Sequence, residues 1–450
     1  MTIRFGTDGV RGLANEAITA HAALAIGRAT ARTFPAAAVV VGRDTRRSGA
    51  MLEAAVVAGI CAEGADALLL DVVPTPAVAA LCARDGLPGI MISASHNAFA
   101  DNGLKVFSPG GRKLSDAEQA AVEAAIAEFA GPGTHPGPTG AGVGVVRHDD
   151  TAVDHYLQGV AAVTEGRDLS GLRVVVDCAN GSNSEVAPRL LERLGAEVTA
   201  IGNHPDGTNI NDGCGSTDTA ALSRSVVQHG ADLGIAFDGD ADRMVAVDHR
   251  GEQVDGDQII ALCASDLARR GRLAGGAVVV TVMSNLGFHQ AMHREGIEVV
   301  TTPVGDRHVL QALTDGGYSL GGEQSGHIIF TDHATTGDGL LSAVALLDLV
   351  RRAGRPLAEL AADAMVRLPQ VLRNVAVSTP MPDVADRLGA QVRAVEAELG
   401  ESGRVLLRPS GTEPVVRVMA EAPTEEQATD VALRLVAAVE ALAVADGTGK

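Results

Sequence analysis

Three aspartates at alternating positions of one short loop are the most specific chemical signal in this sequence. They lie in Phe237-Asp238-Gly239-Asp240-Ala241-Asp242-Arg243. Carboxylates at this spacing can converge on one hard cation, and oxygen ligands alone favour Mg²⁺ or Ca²⁺ over zinc or copper. We expect Gly239 to let the backbone bend around the ion. An EF-hand calcium loop is excluded, because its sixth position is Arg243 and its twelfth is His249. A solvated acidic hairpin is the alternative.

A serine loop is the second candidate for chemistry. The apolar run Gly89–Ile92 is predicted to be a buried strand, and it leads into Ser93-Ala94-Ser95-His96-Asn97. A serine at a strand exit, beside His96 and Asn97, can act as a carrier of phosphoryl groups. Phosphorylated Ser95 would bear about −1.5 to −2 charges and would bind the metal. Lys105 follows closely and can balance charge or move a proton. A structural turn is the alternative.

Two further loops have compositions suited to phosphate and sugar. In Arg408-Pro409-Ser410-Gly411-Thr412-Glu413-Pro414, N–H groups and hydroxyls of a tight turn can form an anion nest, with Arg408 as a bidentate donor. In Gly322-Glu323-Gln324-Ser325-Gly326-His327, polar side chains suit sugar hydroxyls or an amine, and His327 can transfer protons near neutral pH. A hairpin turn and an ordinary polar loop are the alternatives. Loop arginines that support anion binding are Arg4, Arg11, Arg43, Arg46 and Arg47.

A weak internal repeat predicts the elements that position these loops. A β-branched run enters a polar loop three times, and a helix, a glycine suited to a left-handed helix end and a second strand follow each time. Continuously apolar strands in this order are typical of βαβ units in a sheet covered on both faces. The predicted segments are Val39–Val41, about Ser48–Glu63, Gly64 and Ala67–Val72; Val174–Val176, about Asn183–Leu194, Gly195 and Val198–Ile201; and Val278–Val280, Leu286–Glu295, Gly296 and Ile297–Thr301.

The repeat predicts three related α/β domains, and a change of pattern after Leu368 predicts a smaller α+β domain. There, two strands (Arg404–Leu407 and Val415–Ala420) precede a helix with a capping box at Thr424 and Gln427. We expect domains at 1–150 with the serine loop, 151–252 with the metal-binding loop, 253–368 with the sugar-binding loop and 369–450 with the phosphate-binding loop. The Gly- and Pro-rich stretch Gly131–Gly144 is predicted to be a linker near the first boundary.

The composition limits the classes of partner. A formal net charge of −20 argues against nucleic acid or an anionic membrane, because such partners require a basic surface. Hydrophobic residues make up 46% of the chain, yet no apolar run reaches the length of a membrane span. The five cysteines are scattered and odd in number, and the N-terminus lacks a signal-peptide pattern, so we expect a cytoplasmic enzyme with reduced thiols.

The sequence resembles the α-D-phosphohexomutase family over essentially its full length. The opening Phe5-Gly6-Thr7-Asp8-Gly9-Val10-Arg11-Gly12 and the serine, aspartate and arginine loops are similar to the family's motifs and occur in the family's order. The hexosamine branch is indicated by Gly322–His327, Thr281–Asn285 and His333–Gly339. Ala98 departs from the proline usual after the His-Asn pair, which we expect to loosen that loop.

The resemblance implies four domains around a central cleft and a phosphosugar mutase of the isomerase class. It implies interconversion of glucosamine 6-phosphate and glucosamine 1-phosphate through phospho-Ser95 and a 1,6-bisphosphate, which feeds synthesis of amino-sugar nucleotides for the cell wall. One Mg²⁺ per chain, glucosamine or glucose 1,6-bisphosphate as activator and a homodimer are also implied. A phosphoglucomutase or phosphomannomutase is the alternative enzyme, and a non-catalytic sugar-phosphate sensor is the alternative outside enzymes.

The resemblance also implies roles for individual residues. Which group is the general acid and which the general base stays open. The implied metal ligands are Asp238, Asp240, Asp242 and phosphorylated Ser95; the implied groups near the transferring phosphoryl are Lys105, Arg243 and His327; the implied substrate-binding residues are Thr7, Arg11, His96, Asn97, Glu323 and Ser325, with Arg408, Ser410, Gly411 and Thr412 at the distal phosphate.

Overall fold

A computed structural model describes residues 5–6, 9–129, 135–409 and 414–447 of the chain. The chain divides into two compact units. The first comprises Met1–Met283 and Gly296–Ala364, and the second comprises Ser284–Glu295 and Met365–Lys450. Among the described helices, none combines the length and the hydropathy needed to span a bilayer.

The first part of the larger unit is a mixed sheet with helices. Its elements are β1 (Val10–Leu13), α1 (Ala20–Thr33), β2 (Ala38–Arg43), α2 (Gly49–Ala62), β3 (Asp66–Val72), α3 (Thr75–Asp85), β4 (Gly89–Ile92), β5 (Asp101–Ser108), β6 (Arg112–Lys113), α4 (Asp116–Phe129) and β7 (Val146–His148). The strand order is β1-β5-β4-β2-β3-β7, and β6 pairs with β5. Strands β2, β3, β4 and β7 are parallel, whereas β5 is antiparallel to β4 and β1.

The parallel pair β2 and β4 determines where the serine loop lies. Arg43 is the register partner of Ile92, so the two chains leave the sheet side by side. The backbone N–H of Asp44 then donates to the Ile92 carbonyl at 3.0 Å. The residues after β2 and the serine loop after β4 therefore emerge at the same sheet edge, where ligands bind in open α/β sheets.

The second part of the unit ends in the aspartate loop. Its elements are α5 (Ala152–Ala161), β8 (Arg173–Asp177), α6 (Val186–Arg193), β9 (Glu197–Ile201), α7 (Ala220–His229), β10 (Leu233–Phe237), β11 (Met244–Asp248) and β12 (Gln253–Val254). The strand order is β12-β11-β10-β8-β9. Strands β8, β9 and β10 are parallel, and β11 is antiparallel to β10. The aspartate loop joins β10 to β11, and both of these strands are buried throughout, which fixes the two ends of the loop.

The third part places the loop Gly322–His327, here called the glutamate loop, between two antiparallel strands. Its elements are α8 (Gly256–Arg269), β13 (Ala277–Thr281), α9 (Leu286–Arg294), β14 (Glu298–Thr302), α10 (Asp306–Gly316), β15 (Leu320–Gly322), β16 (Ile328–Phe330), α11 (Gly339–Ala353) and α12 (Leu357–Ala364). The strand order is β14-β13-β15-β16, with β13 parallel to both β14 and β15. Residues 323–327 connect β15 to its antiparallel partner β16.

The smaller unit is an antiparallel sheet with helices. Its further elements are β17 (Gln370–Ala376), α13 (Val384–Arg387), α14 (Gly389–Leu399), β18 (Arg404–Pro409), β19 (Val415–Glu421) and α15 (Glu425–Gly447). The strand order is β17-β19-β18. Helix α9 lies between β13 and β14 in the chain but belongs to this smaller unit and not to the larger one. The side-chain amide of Asn285 donates to the Leu368 carbonyl at 2.9 Å, and the Leu286 N–H donates to buried Glu421 at 2.8 Å.

The predicted secondary structure is confirmed, with shifts at element ends. Each of the three repeat helices is followed by a glycine of positive φ, at 89° for Gly64, 95° for Gly195 and 70° for Gly296. The second repeat helix begins three residues later than predicted, at Val186. The Ser184 hydroxyl donates to the Gly181 carbonyl at 2.6 Å, and such side-chain turns compete with helix formation. The strands predicted as simple βαβ units also acquire antiparallel neighbours, because β5, β11 and β16 return as hairpin partners.

Candidate active site

The serine loop and the aspartate loop meet through one short hydrogen bond. Buried Ser95 has a φ of 54°, a left-handed conformation that is uncommon outside glycine. In this conformation its Oγ donates to Oδ2 of Asp238 at 2.6 Å, and Nδ1 of His96 lies 3.3 Å from the same Oγ. A strained, buried serine aimed at a carboxylate is a candidate reactive group.

The three aspartates form a buried group that can hold a metal ion. Each offers an oxygen atom that lies within 4.8 Å of the others. Oδ1 of Asp240 and Oδ1 of Asp242 are buried and have no hydrogen-bond donor within the described residues. Buried carboxylate oxygens without donors are costly, and a hard divalent cation would satisfy them. The residues present therefore fit a metal that prefers oxygen ligands.

Lys105 compensates part of the negative charge. From β5, its Nζ donates to Oδ2 of Asp240 at 2.7 Å and to Oδ2 of Asp242 at 2.9 Å. Burial lowers the pKa of Lys105, but the two carboxylates outweigh burial, so the net shift is upward and the ammonium stays charged. Thr75, at the start of α3, also donates to Asp240, with its hydroxyl 2.6 Å from the same Oδ2.

The environments of the aspartates separate their pKa values. Burial, together with the charges of Asp242 and Asp240, raises the pKa of Asp238 to about 7. Burial also raises the pKa of Asp242, but Lys105 and His327 outweigh it and hold the value well below the ordinary range. The pKa of Asp240 is lowered in the same way, because Lys105 overcomes burial and the neighbouring Asp242. Asp238, which touches Ser95, is thus the carboxylate closest to exchanging a proton at neutral pH.

His96 is a neutral imidazole beside the serine. Burial, and then the cationic Arg243 and Arg11, lower its pKa to about 4. The ring therefore stays uncharged near pH 7 and can donate or accept one hydrogen bond at Ser95 Oγ. The same shift shows that the guanidinium groups of Arg11 and Arg243 lie close to this end of the site. Burial opposes the charge of Arg243, but Asp242 and Asp238 outweigh it and raise its pKa.

The glutamate loop presents its polar groups at the edge of the same unit. Oε1 of Glu323 accepts the backbone N–H of Gly305 at 3.0 Å, and the Ser325 hydroxyl lies 3.4 Å from Oε2. Glu323 is half-buried and Ser325 is exposed, so both can reach a ligand. The loop is tied to the aspartate loop, because the N–H of Met244 donates to the Gly326 carbonyl at 3.0 Å.

His327 differs from its neighbours because its ring is enclosed. Only 2% of the residue is exposed. Nε2 accepts the backbone N–H of Gly337 at 3.1 Å and lies 3.5 Å from Asp306, while Nδ1 lies 3.6 Å from Oδ1 of Asp242. In this arrangement the imidazole lies against the aspartate group, in a position suited to orienting Asp242.

The remaining predicted site residues are on β1, in the serine loop, on β18 or outside the described residues. Arg11 is on β1, opposite Gly103, and Asn97 donates through its side chain to Asp101 at 2.9 Å. Arg408 is on β18 of the smaller unit. Thr7, Ser410, Gly411 and Thr412 lie outside the described residues.

Some residues of the site were not expected from the sequence. Thr75 follows Pro74 in an otherwise apolar helix start, and no pattern marks it as a partner of Asp240. Asp306 was also unexpected. It lies beside His327, and its carboxylate is paired with Lys113. The Gly305-Asp306 turn before α10 was the available signal, because an acidic residue is favoured in the first turn of a helix.

Gly239 lies in the turn of the aspartate loop, as expected, but the left-handed position of that loop is Ala241, with a φ of 60°. Gly239 is required for close approach instead, since a Cβ atom there would lie 2.7 Å from the Ser95 carbonyl oxygen and 2.7 Å from the Ile210 side chain. The glycine therefore lets the backbone of the aspartate loop touch the serine loop.

Gly239→Ala is expected to lower both stability and turnover. The added methyl group must displace the Ser95 backbone or Ile210, and overpacking of this kind costs about 1–3 kcal/mol of unfolding free energy. Urea denaturation and steady-state kinetics of the variant measure the two effects. Gly159→Ala in α5 is the matched control. A methyl group there meets no atom within 4 Å, so we expect a gain of about 0.5–1 kcal/mol and unchanged turnover. Equal effects of the two substitutions would contradict this reading of Gly239.

Models of one family match nearly the whole chain. They describe α/β/α domains I, II and III and the C-terminal domain of phosphoglucomutase/phosphomannomutase, and they match residues 2–130, 154–251, 255–368 and 372–438 in that order. With the observed sheets, they confirm the predicted fold class of three related α/β domains followed by a smaller α+β domain.

Individual relatives agree with the family models. The chain is 55% identical to a phosphoglucosamine mutase of Frankia alni, over 98% of this chain and 99% of the relative. It is 54% identical to a phosphoglucosamine mutase of Pelotomaculum thermopropionicum, over 97% of this chain and 98% of the relative. The crystal structure of a phosphoglucomutase/phosphomannomutase family protein from Burkholderia thailandensis is similar in fold, with a TM-score of 0.79, 25% identity and coverage of 96% and 97%.

Proposed function

Because the chain belongs to the phosphoglucomutase/phosphomannomutase family of α-D-phosphohexomutases, we propose that it interconverts glucosamine 6-phosphate and glucosamine 1-phosphate. The observation that supports this most directly is the 2.6 Å hydrogen bond between Ser95 Oγ and Asp238, made inside a buried group of three carboxylates that can hold a metal. The phosphoglucosamine mutases at 55% and 54% identity support the choice of sugar.

Ser95 is the proposed carrier of the phosphoryl group. In the forward half-reaction the bond between phosphorus and Ser95 Oγ breaks, while the oxygen of the free sugar hydroxyl bonds to phosphorus and its proton passes to a base. The product is glucosamine 1,6-bisphosphate. Glucose 1,6-bisphosphate can prime unphosphorylated Ser95 by the reverse transfer, in which Oγ bonds to phosphorus, the sugar oxygen leaves as a hydroxyl and the serine proton passes to it through a base. After the intermediate turns over, its other phosphate returns to Ser95 and glucosamine 1-phosphate is released.

Asp238, Asp240 and Asp242 are proposed to hold one Mg²⁺ together with the phosphate of Ser95. A bound Mg²⁺ supplies Lewis-acid stabilisation of charge on the phosphoryl oxygens. The cationic side chains of Lys105 and Arg243 add fixed positive charge beside those carboxylates, where electrostatic stabilisation supplies most of the catalysis of phosphoryl transfer. His327 is proposed to act in the same site through Asp242.

The remaining substrate contacts are proposed by residue type. Glu323 and Ser325 would hydrogen-bond the sugar, because both are polar and reach the surface of their loop, Glu323 in part. The residues proposed to bind the sugar phosphate next to the serine are Thr7, Arg11, His96 and Asn97. Those proposed for the second phosphate are Arg408, Ser410, Gly411 and Thr412.

Three further proposals concern the whole chain. The domains are proposed to be 1–150, 151–252, 253–368 and 369–450. The reaction is proposed to occur in the cytoplasm, and the five free cysteines support a reducing compartment. It is proposed to supply amino-sugar nucleotides for the cell wall. A homodimer is proposed from family membership alone.

The choice of sugar is tested by rates on three substrates. We expect kcat/KM for glucosamine 6-phosphate to exceed that for glucose 1-phosphate and mannose 1-phosphate. Preference for glucose or mannose phosphate would assign the protein to the gluco- or mannomutase branch instead. Binding of all three sugars without turnover, by fully phosphorylated protein with Mg²⁺, would indicate a sensor.

Cation binding to the unphosphorylated protein is expected to depend on pH. Asp238 has a pKa of about 7, so below pH 7 its carboxyl is protonated and Mg²⁺ must displace that proton. Affinity should therefore fall by up to about tenfold per pH unit below pH 7 and level off above it. Calorimetry at pH 6 in two buffers of different ionisation enthalpy measures the released proton. Asp238→Asn is the control, because it removes the group that releases the proton. If the unsubstituted protein released no proton on binding Mg²⁺, the assignment of Asp238 as a ligand with a pKa of about 7 would be contradicted.

A further inference from the structure

A buried guanidinium lies at the centre of the serine loop. Arg46 is 2% exposed, and its side chain points from the loop after β2 into the loop after β4. Nη2 donates to the carbonyl oxygens of Ser95 at 2.8 Å and Asn97 at 2.9 Å. Nη1 donates to the carbonyl oxygens of Asp101 at 3.0 Å and Ala98. Backbone acceptors from one loop thus converge on a single side chain.

The other end of the guanidinium is fixed by an acidic partner. Nε of Arg46 donates to Oδ2 of fully buried Asp44 at 2.8 Å. The same oxygen accepts the Ser93 hydroxyl at 2.7 Å, and the Ser93 hydroxyl in turn accepts the backbone N–H of Ser95 at 2.9 Å. Arg46 therefore holds the Ser95 carbonyl directly, and Asp44 holds the Ser95 N–H through the Ser93 hydroxyl.

This network explains how Ser95 can keep a left-handed conformation. The turn directs several carbonyl groups inward, and buried carbonyls without donors would each cost free energy. The guanidinium satisfies them together, and the side-chain amide of Asn211 adds donors to the Ser95 carbonyl at 2.9 Å and the Asn97 carbonyl at 3.1 Å. Ala98, where proline was expected, does not leave the loop loose, because its carbonyl is held by Arg46.

We infer that Arg46 is a positioning residue for phosphoryl transfer: it holds the Ser95 loop so that Oγ points at Asp238, without touching the substrate. The inference rests on the proposed function of Ser95. It assigns to Arg46 a role in the transfer step and none in binding the sugar. Asp44, Ser93 and Asn211 act through the same loop.

The test is Arg46→Lys, with Arg147→Lys as the matched control. Lysine keeps the charge but cannot present the planar set of donors, and Arg147 is an exposed arginine on β7 of the same sheet, so the control makes the same change away from the serine loop. We expect Arg46→Lys to lower kcat by about 10²-fold with KM for glucosamine 6-phosphate nearly unchanged, because small misplacement of a reacting group has effects of that size. Single-turnover loss of phosphate from Ser95, followed by intact mass, should slow equally. Arg147→Lys should leave both rates unchanged.

Milder variants guard against loss of folding. Ser93→Ala and Asn211→Ala each remove one anchor of the loop, and each should lower kcat and the single-turnover rate with KM unchanged. These two variants decide the question if Arg46→Lys does not fold. Unchanged single-turnover rates in the folded variants, or a rise in KM alone, would overturn the inference. Full activity in Ser95→Ala would instead overturn the proposed function, so the two failures are distinguishable.

Discussion

Ser95→Ala is expected to abolish both phosphorylation of the protein and mutase activity. The substitution removes the oxygen that would bond to phosphorus, and no partial reaction can replace a missing covalent carrier. Loss of a nucleophile in enzymes with covalent intermediates lowers kcat by about 10⁴-fold or more. Intact-mass analysis with peptide mapping measures the phosphate, and a coupled assay measures turnover.

Folding of this variant has to be separated from its chemistry. Alanine loses the hydrogen bond from Ser95 Oγ to Asp238 but keeps the Cβ atom and the backbone hydrogen bonds of the turn. We therefore expect only a small change in thermal stability. Ser170→Ala, at an exposed serine of the same unit, is the matched control and should retain phosphorylation and activity. Phosphate found at another residue, with activity intact in Ser95→Ala, would end the claim that Ser95 is the carrier.

Asp240→Asn is expected to produce the second largest loss, through the metal. The amide keeps the size of the side chain and can still accept from Thr75, but it removes one negative charge from the cation site. Lewis-acid stabilisation by a bound metal contributes several kcal/mol to catalysis, so we expect a decrease in kcat of about 10³-fold. The Mg²⁺ concentration that gives half-maximal activity should rise as well. Both quantities come from activity measured across a titration of Mg²⁺.

Asp315→Asn, at an exposed aspartate of α10, is the control for the loss of one carboxylate and should change neither quantity. Treatment of the unsubstituted protein with a chelator should stop turnover, and added Mg²⁺ should restore it. An Asp240→Asn variant with the same Mg²⁺ dependence as the unsubstituted protein would remove Asp240 from the proposed ligand set.

The strands that position the site could be predicted because they are short, apolar and fully buried. Gly89–Ile92, which leads into the serine loop, was predicted with the bounds that the structure has. The aspartate group was also predictable, since three carboxylates at alternate positions have few other uses. The family membership that the motifs indicated is confirmed by models that match nearly the whole chain.

The sequence indicated Arg46 only as a loop arginine that supports anion binding; its contacts with the serine loop could not be predicted, because the partners are backbone carbonyls, which every residue has. That this side chain reaches the serine loop becomes apparent only once the parallel pairing of β2 and β4 is known. The close approach at Gly239 is likewise a tertiary contact, and a glycine in a loop indicates bending more readily than proximity. The grouping of α9 with the smaller unit depends on Glu421, which lies far from it in the chain.

The position of Lys105 also affects how the protein matures. Its ammonium group pairs with two of the carboxylates and offsets one of their two negative charges from within the chain. A cluster of buried like charges would otherwise oppose folding until a cation arrived, as it does in small domains that fold only on metal binding. Here the polypeptide provides its own counter-ion, so folding can be completed first and loading with magnesium and phosphate can follow.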